Sequence, residues 1–177
     1  MNDLRNTDVP PMPTEEELRF LSGCGPLPAM DEFLNRMRVF GEFLYETNRT
    51  MNLTRIPPEV FWCKHVCDSL SVLRAVPELG GSLEALCDVG CGAGFPSLVL
   101  AAAFPQRFVV PVDSTGKKIA FVRQAAERMG LNNVSPVQAR AHEIARRAPY
   151  RGSFGFVTAR AVADASALIR EIGRAHV

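Results

Sequence analysis

Apolar positions recur at helical spacing through the first part of the chain. Phe33, Met37, Phe40 and Leu44 lie three or four residues apart between Asp31 and about Thr47, which predicts a helix with one inward face. Ahead of it, Thr14 followed by Glu17 has the form of a capping box and opens a short helix ending by Gly23 to Gly25. Behind it, a connection from Asn48 to Ile56 holds Asn52, Leu53 and Thr54, and Pro57 and Pro58 introduce a further helix through Phe61, Trp62, His65, Val66, Leu70 and Leu73. From Leu83 onward the pattern changes. Short apolar runs at Leu86 to Val89, Phe108 to Val112, Val134 to Val137 and Phe154 to Thr158 alternate with helical stretches. These are Leu98 to Phe104, Lys117 to Met129 closed by Gly130, a short helix near Glu143, and one beginning near Ala163. Alternation of this kind predicts an α/β fold, a doubly wound parallel sheet of Rossmann-like form. Residues 1–82 form its N-terminal helical extension and 83–177 the sheet domain. Pro111 offers no amide to a ladder, so an irregularity is expected there.

The junction after the first strand carries the chemistry. Asp88, Val89, Gly90, Cys91, Gly92, Ala93, Gly94, Phe95, Pro96 is a strand end passing through three alternate glycines into a helix, the form of a nucleotide-cofactor turn. Glycine permits the tight turn and lets the backbone lie against a ligand, and the amides at the helix start favour a polar or anionic group. The second strand ends at Asp113, where a carboxylate can accept from two ribose hydroxyls or cap the following helix. In open α/β sheets ligands lie at the carboxyl ends of the strands. Asp88, the glycine loop, Asp113, Gln138 to Glu143 and Thr158 to Ala161 all fall there.

Composition narrows the class. With 47% hydrophobic and 22% charged residues over 177 positions, the chain is an ordinary single globular protein. No apolar run approaches the roughly 18 residues of a membrane span, and Met1 to Pro13 is polar and proline-rich, so a cytoplasmic protein is expected. Five cysteines, an odd number, read as reduced, buried thiols. Cys63/Cys67 and Cys87/Cys91 make a C-x3-C pair twice, which superficially resembles a metal site, but helix-like sequence surrounds the first and a strand-to-loop junction holds the second, so no metal is expected. Charge is uneven: residues 1–106 hold 8 basic and 14 acidic residues, while 107–177 hold 12 basic and 5 acidic. The basic half, with Arg123, Arg128, Arg140, Arg146, Arg147, Arg151 and Arg160, suits phosphate contacts with RNA, although solvated helix faces account for such charges too. His65 and Asp68 stand at i, i+3 on a predicted helix, where a histidine is a packing residue more often than a catalyst. No serine or cysteine triad is present.

Several of these features occur together in one family. Asp88-Val-Gly-Cys-Gly-Ala-Gly-Phe-Pro, Val112-Asp-Ser with Lys117-Lys118 and Phe121, Arg140-Ala141 and Thr158-Ala-Arg-Ala are preceded by Asn52-Leu-Thr and His65-x-x-Asp68-Ser-Leu. Over about Phe33 to Ala163 this resembles the ribosomal RNA small subunit methyltransferase G family, also called glucose-inhibited division protein B. The resemblance implies a class I methyltransferase fold with S-adenosyl-L-methionine as cofactor. It also implies methyl transfer to N7 of a guanosine in the 530 loop of bacterial 16S ribosomal RNA, naked or in the small ribosomal subunit, by a monomer. Cofactor contacts carried over by motif fall on Gly90, Phe95, Ala141, His142 and Arg160, with Asp113 at the ribose. His142 stands where the family usually has an acidic residue, and Ser97 where it has glycine. Arg160 is a contact for cofactor or RNA, or an exposed arginine. Guanine N7 has a lone pair and no proton, so no general base is required, and none is named.

Family members continue through further strands, whereas this sequence ends at Val177 within the predicted last helix. A truncated member is expected, with its fourth strand an exposed edge, marginal stability and weakened or absent activity. Two other readings stand beside the methyltransferase: a cofactor- or RNA-binding fragment without turnover, and a nicotinamide-dependent oxidoreductase. The glycine spacing, Gly-x-Gly-x-Gly, is not the dinucleotide Gly-x-Gly-x-x-Gly.

Overall fold

The computed structural model describes residues 9–25, 27, 29–81 and 84–160. Its centre is a parallel sheet in the order β3-β2-β1-β4, with β1 at Leu86–Val89, β2 at Val109–Asp113, β3 at Val137–Gln138 and β4 at Phe156–Thr158. The register pairs Asp88 with Pro111 on one side and Thr158 on the other. The β1 and β2 strands are buried along their whole length, because their alternate side chains face two different helical layers. On one face Leu86 and Val109 join the larger core. Across the sheet Cys87, Val89, Val110 and Val112 pack with Ile144 of the short helix α8 (Ala141–Arg146) and with Tyr150 and Phe154. The chain runs from β1 outward to β2 and β3, then returns to β4 on the opposite side of β1. That reversal is the switch point at which α/β sheets open a crevice.

Pro111 produces the irregularity expected of it. The Val109 amide and carbonyl both face the β3 side, bonded to Asn133 O and to Ser135 N, so Pro111 two residues on faces the same way with no donor. The β2–β3 ladder is accordingly a lone bridge at Val109–Val134 that resumes only at Val112–Val137. On the β1 side the register is unbroken.

The N-terminal helices complete the larger core. In α1 (Glu15–Ser22), Glu17 N donates to Thr14 Oγ1 at 3.3 Å and Thr14 N donates back to the Glu17 carboxylate at 2.7 Å, the reciprocal box the sequence predicts. Helix α2 (Met30–Met51) runs longer than its apolar repeat alone indicates and ends on Asn52 in the left-handed region, φ 50°. It buries Phe33, Met37, Phe40, Phe43 and Leu44, and at Gly41 a Cβ would meet Pro10 Cγ at 2.7 Å, so glycine admits the proline-rich segment. The helix expected after Pro58 is not one regular helix. It is a 3-10 turn at Pro58–Val60, a π-helical turn at Trp62–Cys67, then α3 (Asp68–Leu70), α4 (Val72–Ala75) and α5 (Glu78–Gly81). A π turn widens the spiral and redirects the side chains it carries, which occurs most often at functional positions. Helices α6 (Ser97–Ala103) and α7 (Gly116–Arg128) cover β1 and β2, and Gly130 closes α7 at φ 66°. Arg107, fully buried, donates to Leu79 O and lies over the Phe104 and Phe156 rings. The helix expected near Ala163, and Ala161 itself, lie outside the described residues.

Phe40 joins these layers: fully buried on α2, it meets Phe61, Phe95 and Phe121 with ring centroids 6.4, 4.8 and 6.5 Å away. Phe40→Ala is expected to cost about 3–5 kcal/mol, measured as a lowered urea midpoint with the slope unchanged. A loss below about 1 kcal/mol would mean that the helical layer is not bound to the sheet through this ring.

Candidate functional site

The glycine loop is built from backbone conformations that only glycine adopts freely. Gly90, Gly92 and Gly94 have φ of 73°, 55° and 92°. Gly94 is needed for packing, since a Cβ there would stand 2.6 Å from Leu98 Cδ1. At Gly92 a Cβ would meet nothing nearer than Gly90 O at 3.9 Å, so that surface is open. The amides of this loop are engaged internally. Gly90 N and Cys91 N donate to Val112 O at 2.8 and 3.0 Å, Gly92 N donates to Asp113 Oδ2 at 3.1 Å, and Gly94 N and Phe95 N donate to Cys91 O. At the helix start, where the sequence predicts donors for an anionic group, Leu98 N is likewise engaged, with Gly94 O at 2.8 Å.

Two carboxylates support the loop from beneath and beside it. Asp88 is fully buried, and its Oδ1 accepts from Thr158 Oγ1 at 3.0 Å, tying β1 to β4. Burial pushes its carboxyl up to about 6, moderated by nearby Ser97 and Thr158. Among the described residues Asp88 Oδ2 and Ser97 Oγ have no hydrogen-bond partner. Asp113 is 8% exposed. Besides holding Gly92, it accepts from Thr115 N at 2.8 Å through Oδ1, and Lys118 Nζ stands 3.9 Å from Oδ2. It thus closes the turn into α7 without being that helix's N-cap, which is Thr115.

Phe95 ends the loop inside the aromatic core. Its ring stacks on His65 at 4.0 Å between centroids and 9° between planes, and Arg160 Cζ lies 5.4 Å from its centre. Phe95 is buried, ring included. His65 and Asp68 do not bond one another. His65 Nε2 pairs with Thr54 Oγ1 at 3.1 Å, and Thr54 is itself held by Asn48, whose Oδ1 accepts from Leu53 N and Thr54 N. Asp68 Oδ2 accepts from Arg160 at 2.7 Å. The packing role expected of His65 holds, and Arg160 is a paired, half-buried residue in place of a loose exposed one. A cavity of about 400 Å³ opens beside this pair, lined by Asp68, Ser69, Ser71, Val72, Pro96 and Val157 to Arg160.

All four strands are parallel, so Gly90, Asp113, Ala141, His142 and Arg160 stand at one edge of the sheet. Gly90 is exposed, while Ala141 and His142 are half-buried at the start of α8. They are linked to Asp113 through the segment just before them, where Ala139 N donates to Asp113 O at 3.2 Å. Arg160 lies two strands away across β1 and β2, on the side of the cavity. The Thr54–His65 and Asp68–Arg160 contacts escaped the sequence reading: their partners are 11 and 92 positions apart, and no periodicity links them. Of the five cysteines four are buried, as expected, but Cys63 is exposed. Burial pushes the Cys87 thiol up to about 12 and raises that of Cys91 as well, which leaves both inert. Among the described residues no His, Cys, Asp or Glu side chains gather as a metal site, and no helix is long and apolar enough to cross a membrane.

His65 and Asp88 give opposite responses to acid. Burial, assisted by Arg160 and opposed by Asp68, holds the folded His65 near 4 against an ordinary 6.5. The unfolded chain therefore takes up that proton first, and acidification from pH 6.5 to 4 removes about 3 kcal/mol of stability. The folded Asp88 carboxyl, near 6 against an ordinary 3.8, takes its proton before the unfolded one. Acidification through that window returns about 3 kcal/mol, and the two contributions nearly cancel. Between pH 7 and 4.5, Asp88→Asn is expected to lose stability relative to the parent chain and His65→Gln to gain it, as read from urea midpoints. Parallel pH dependence in all three proteins would contradict this.

Comparison with known proteins agrees with the geometry. The family model described as rRNA small subunit methyltransferase G (GidB) matches residues 33–174. Proteins named ribosomal RNA small subunit methyltransferase G are similar in sequence. That of Ligilactobacillus salivarius is 41% identical over 159 residues, covering 89% of this chain and 66% of the relative. That of Leuconostoc citreum is 38% identical over 158 residues, with the same two shares, and that of Limosilactobacillus fermentum 46% over 124 residues, 69% of this chain and 51% of the relative. The chain thus spans roughly half to two thirds of the length of these relatives. With a parallel switch-point sheet, a three-glycine loop over a buried aspartate, and this breadth of similarity, the chain belongs to the rRNA small subunit methyltransferase G family.

Proposed function

We propose that the chain binds S-adenosyl-L-methionine at the glycine loop and directs its methyl group to N7 of a guanosine in the 530 loop of 16S ribosomal RNA. The observation that carries this reading is the state of the loop amides. A dinucleotide cofactor needs free backbone donors for its pyrophosphate. Here the amides of Gly90, Cys91, Gly92, Gly94 and Phe95 already have acceptors inside the protein. A cofactor that is cationic at sulfur and carries no phosphate makes no such demand, and the open surface at Gly92 beside the Asp113 carboxylate suits it. This favours the methyltransferase over the nicotinamide oxidoreductase.

The residues divide the work as follows. Gly90 and the Phe95 backbone border the loop. Asp113 retains lone pairs for ribose hydroxyls, since a carboxylate has about four acceptor sites and two amides take two of them. Ala141 and His142 offer backbone groups to the adenine, and Arg160 binds at the end of β4. S-adenosyl-L-methionine supplies an electrophilic methyl on a sulfonium. Guanine N7 needs no deprotonation, so the protein's part is alignment, exclusion of water and electrostatic support. That fits a site in which His65 is buried and occupied in packing and His142 contributes backbone. The exposed Arg123, Arg140, Arg146 and Arg147 flank the β3 side and suit RNA phosphates.

The test is methyl transfer from labelled S-adenosyl-L-methionine to small subunits lacking this modification, with 7-methylguanosine identified by mass spectrometry of the digested RNA. Labelled 7-methylguanosine is the expected product. Gly92→Val, which places a branched side chain at φ 55° on the open loop surface, is expected to weaken cofactor binding at least tenfold, about 1.4 kcal/mol or more. Label in another base, or undiminished binding by the variant, would contradict the reading.

A further inference from the structure

The cavity at the end of β4 shares Arg160 with the cofactor reading, but its other donors and acceptors, Asp68 above all, are not used by that reading. Its hydroxyl donors are already engaged: Ser69 Oγ donates to His65 O and Ser71 Oγ to Asp68 O, both at 2.6 Å, and Thr158 Oγ1 to Asp88. What remains is the Asp68 carboxylate beside the Arg160 guanidinium, set against apolar surface from Val72, Pro96 and Val157. The cavity, at about 400 Å³, has room for a planar base, and it adjoins Pro96 at the end of the glycine loop.

A guanine base presents on its Watson–Crick edge the acceptor O6 followed by two adjacent donors, N1–H and N2–H. An arginine next to a carboxylate is the complement of that edge: the guanidinium, with five donors, meets O6, and the carboxylate oxygens meet N1–H and N2–H. Adenine places an acceptor at N1, cytosine at N3, and uracil has a single donor between two acceptors, so none of them satisfies the pair. The Asp68 bond to Arg160 uses one of about four acceptor sites, and the Asp68 side chain is 52% exposed beside the cavity. Holding guanine by this edge leaves N7, on the adjoining Hoogsteen edge next to O6, without a hydrogen bond and open to the methyl group.

We propose that Asp68 is the residue that selects guanine, reading N1–H and N2–H of the methyl-accepting base with Arg160 on O6. The inference rests on the guanine-N7 reading above. An anionic acceptor on N1–H also raises electron density across the ring, which favours attack by N7 without moving a proton.

The 177-residue chain, loaded with S-adenosylhomocysteine, is titrated with guanosine, inosine and 1-methylguanosine 5′-monophosphates and followed by ligand-observed NMR. Inosine lacks the N2 amino group and the methylated base lacks N1–H, so the comparison needs no variant. Guanosine monophosphate is expected to bind about tenfold more tightly than either, the discrimination typical of one bidentate contact. Asp68→Asn is expected to erase most of that preference. Equal binding of the three nucleotides, no binding of any by the loaded chain, or a preference that survives Asp68→Asn would overturn the proposal and leave the methyltransferase reading standing. A folded chain that takes no S-adenosylhomocysteine would instead overturn the reading on which it rests.

Discussion

The face-to-face contact of His65 with Phe95 is the constraint on which the rest of the site depends. Phe95 is the last residue of the glycine loop before Pro96, and its ring is enclosed by His65, Phe40 and Phe61. The loop cannot take its shape unless that ring has a place, and the place is made by α2 and the π-helical turn of the N-terminal region. The helical extension is therefore part of the glycine loop's foundation. Packing of this kind is stiff, since interiors have crystal-like density and a displaced ring leaves a void.

From this anchor, two polar chains run outward. One passes from Asn48 to Thr54 to His65 and fixes the imidazole in its plane. The other passes from Phe95 to Arg160 to Asp68 and ties the end of β4 to the helical layer. Beneath the loop, Asp88 joins β1 to β4 through Thr158, across the switch point. A carboxylate this deeply buried is costly unless satisfied; Thr158 holds its Oδ1 and Ser97 beside it favours the charged form, and among the described residues Oδ2 has no further partner. Polar groups in such positions are common where a protein sets a functional surface ahead of stability.

The alternation from Leu86 to Thr158, the glycine loop and the strand-end acidic residues were legible because each is local: a period, a spacing, a turn residue. Pro111 was legible for the same reason, and the break it causes in the β2–β3 ladder falls on the side its missing amide faces. The helix after Pro58 was misread as regular. Apolar spacing is similar for one α-helix and for a 3-10, π and α succession, and only tertiary packing around Phe61 and His65 separates them. The internal hydrogen bonding of the loop amides was not legible, because their acceptors, Val112 O, the Asp113 carboxylate and Cys91 O, are set by the folded loop and the neighbouring strand. The pairing of Asp68 with Arg160 was beyond a reading by periodicity: it joins two motifs 92 positions apart.

The central claim, that the aromatic anchor assembles a loop fit for a cationic, phosphate-free cofactor, is tested most directly by calorimetric titration of the 177-residue chain with S-adenosyl-L-methionine and, separately, with NAD. Saturable binding of S-adenosyl-L-methionine at one site per chain, with no heat from NAD, is the predicted result. Binding of NAD, or a folded chain silent to both, would contradict it.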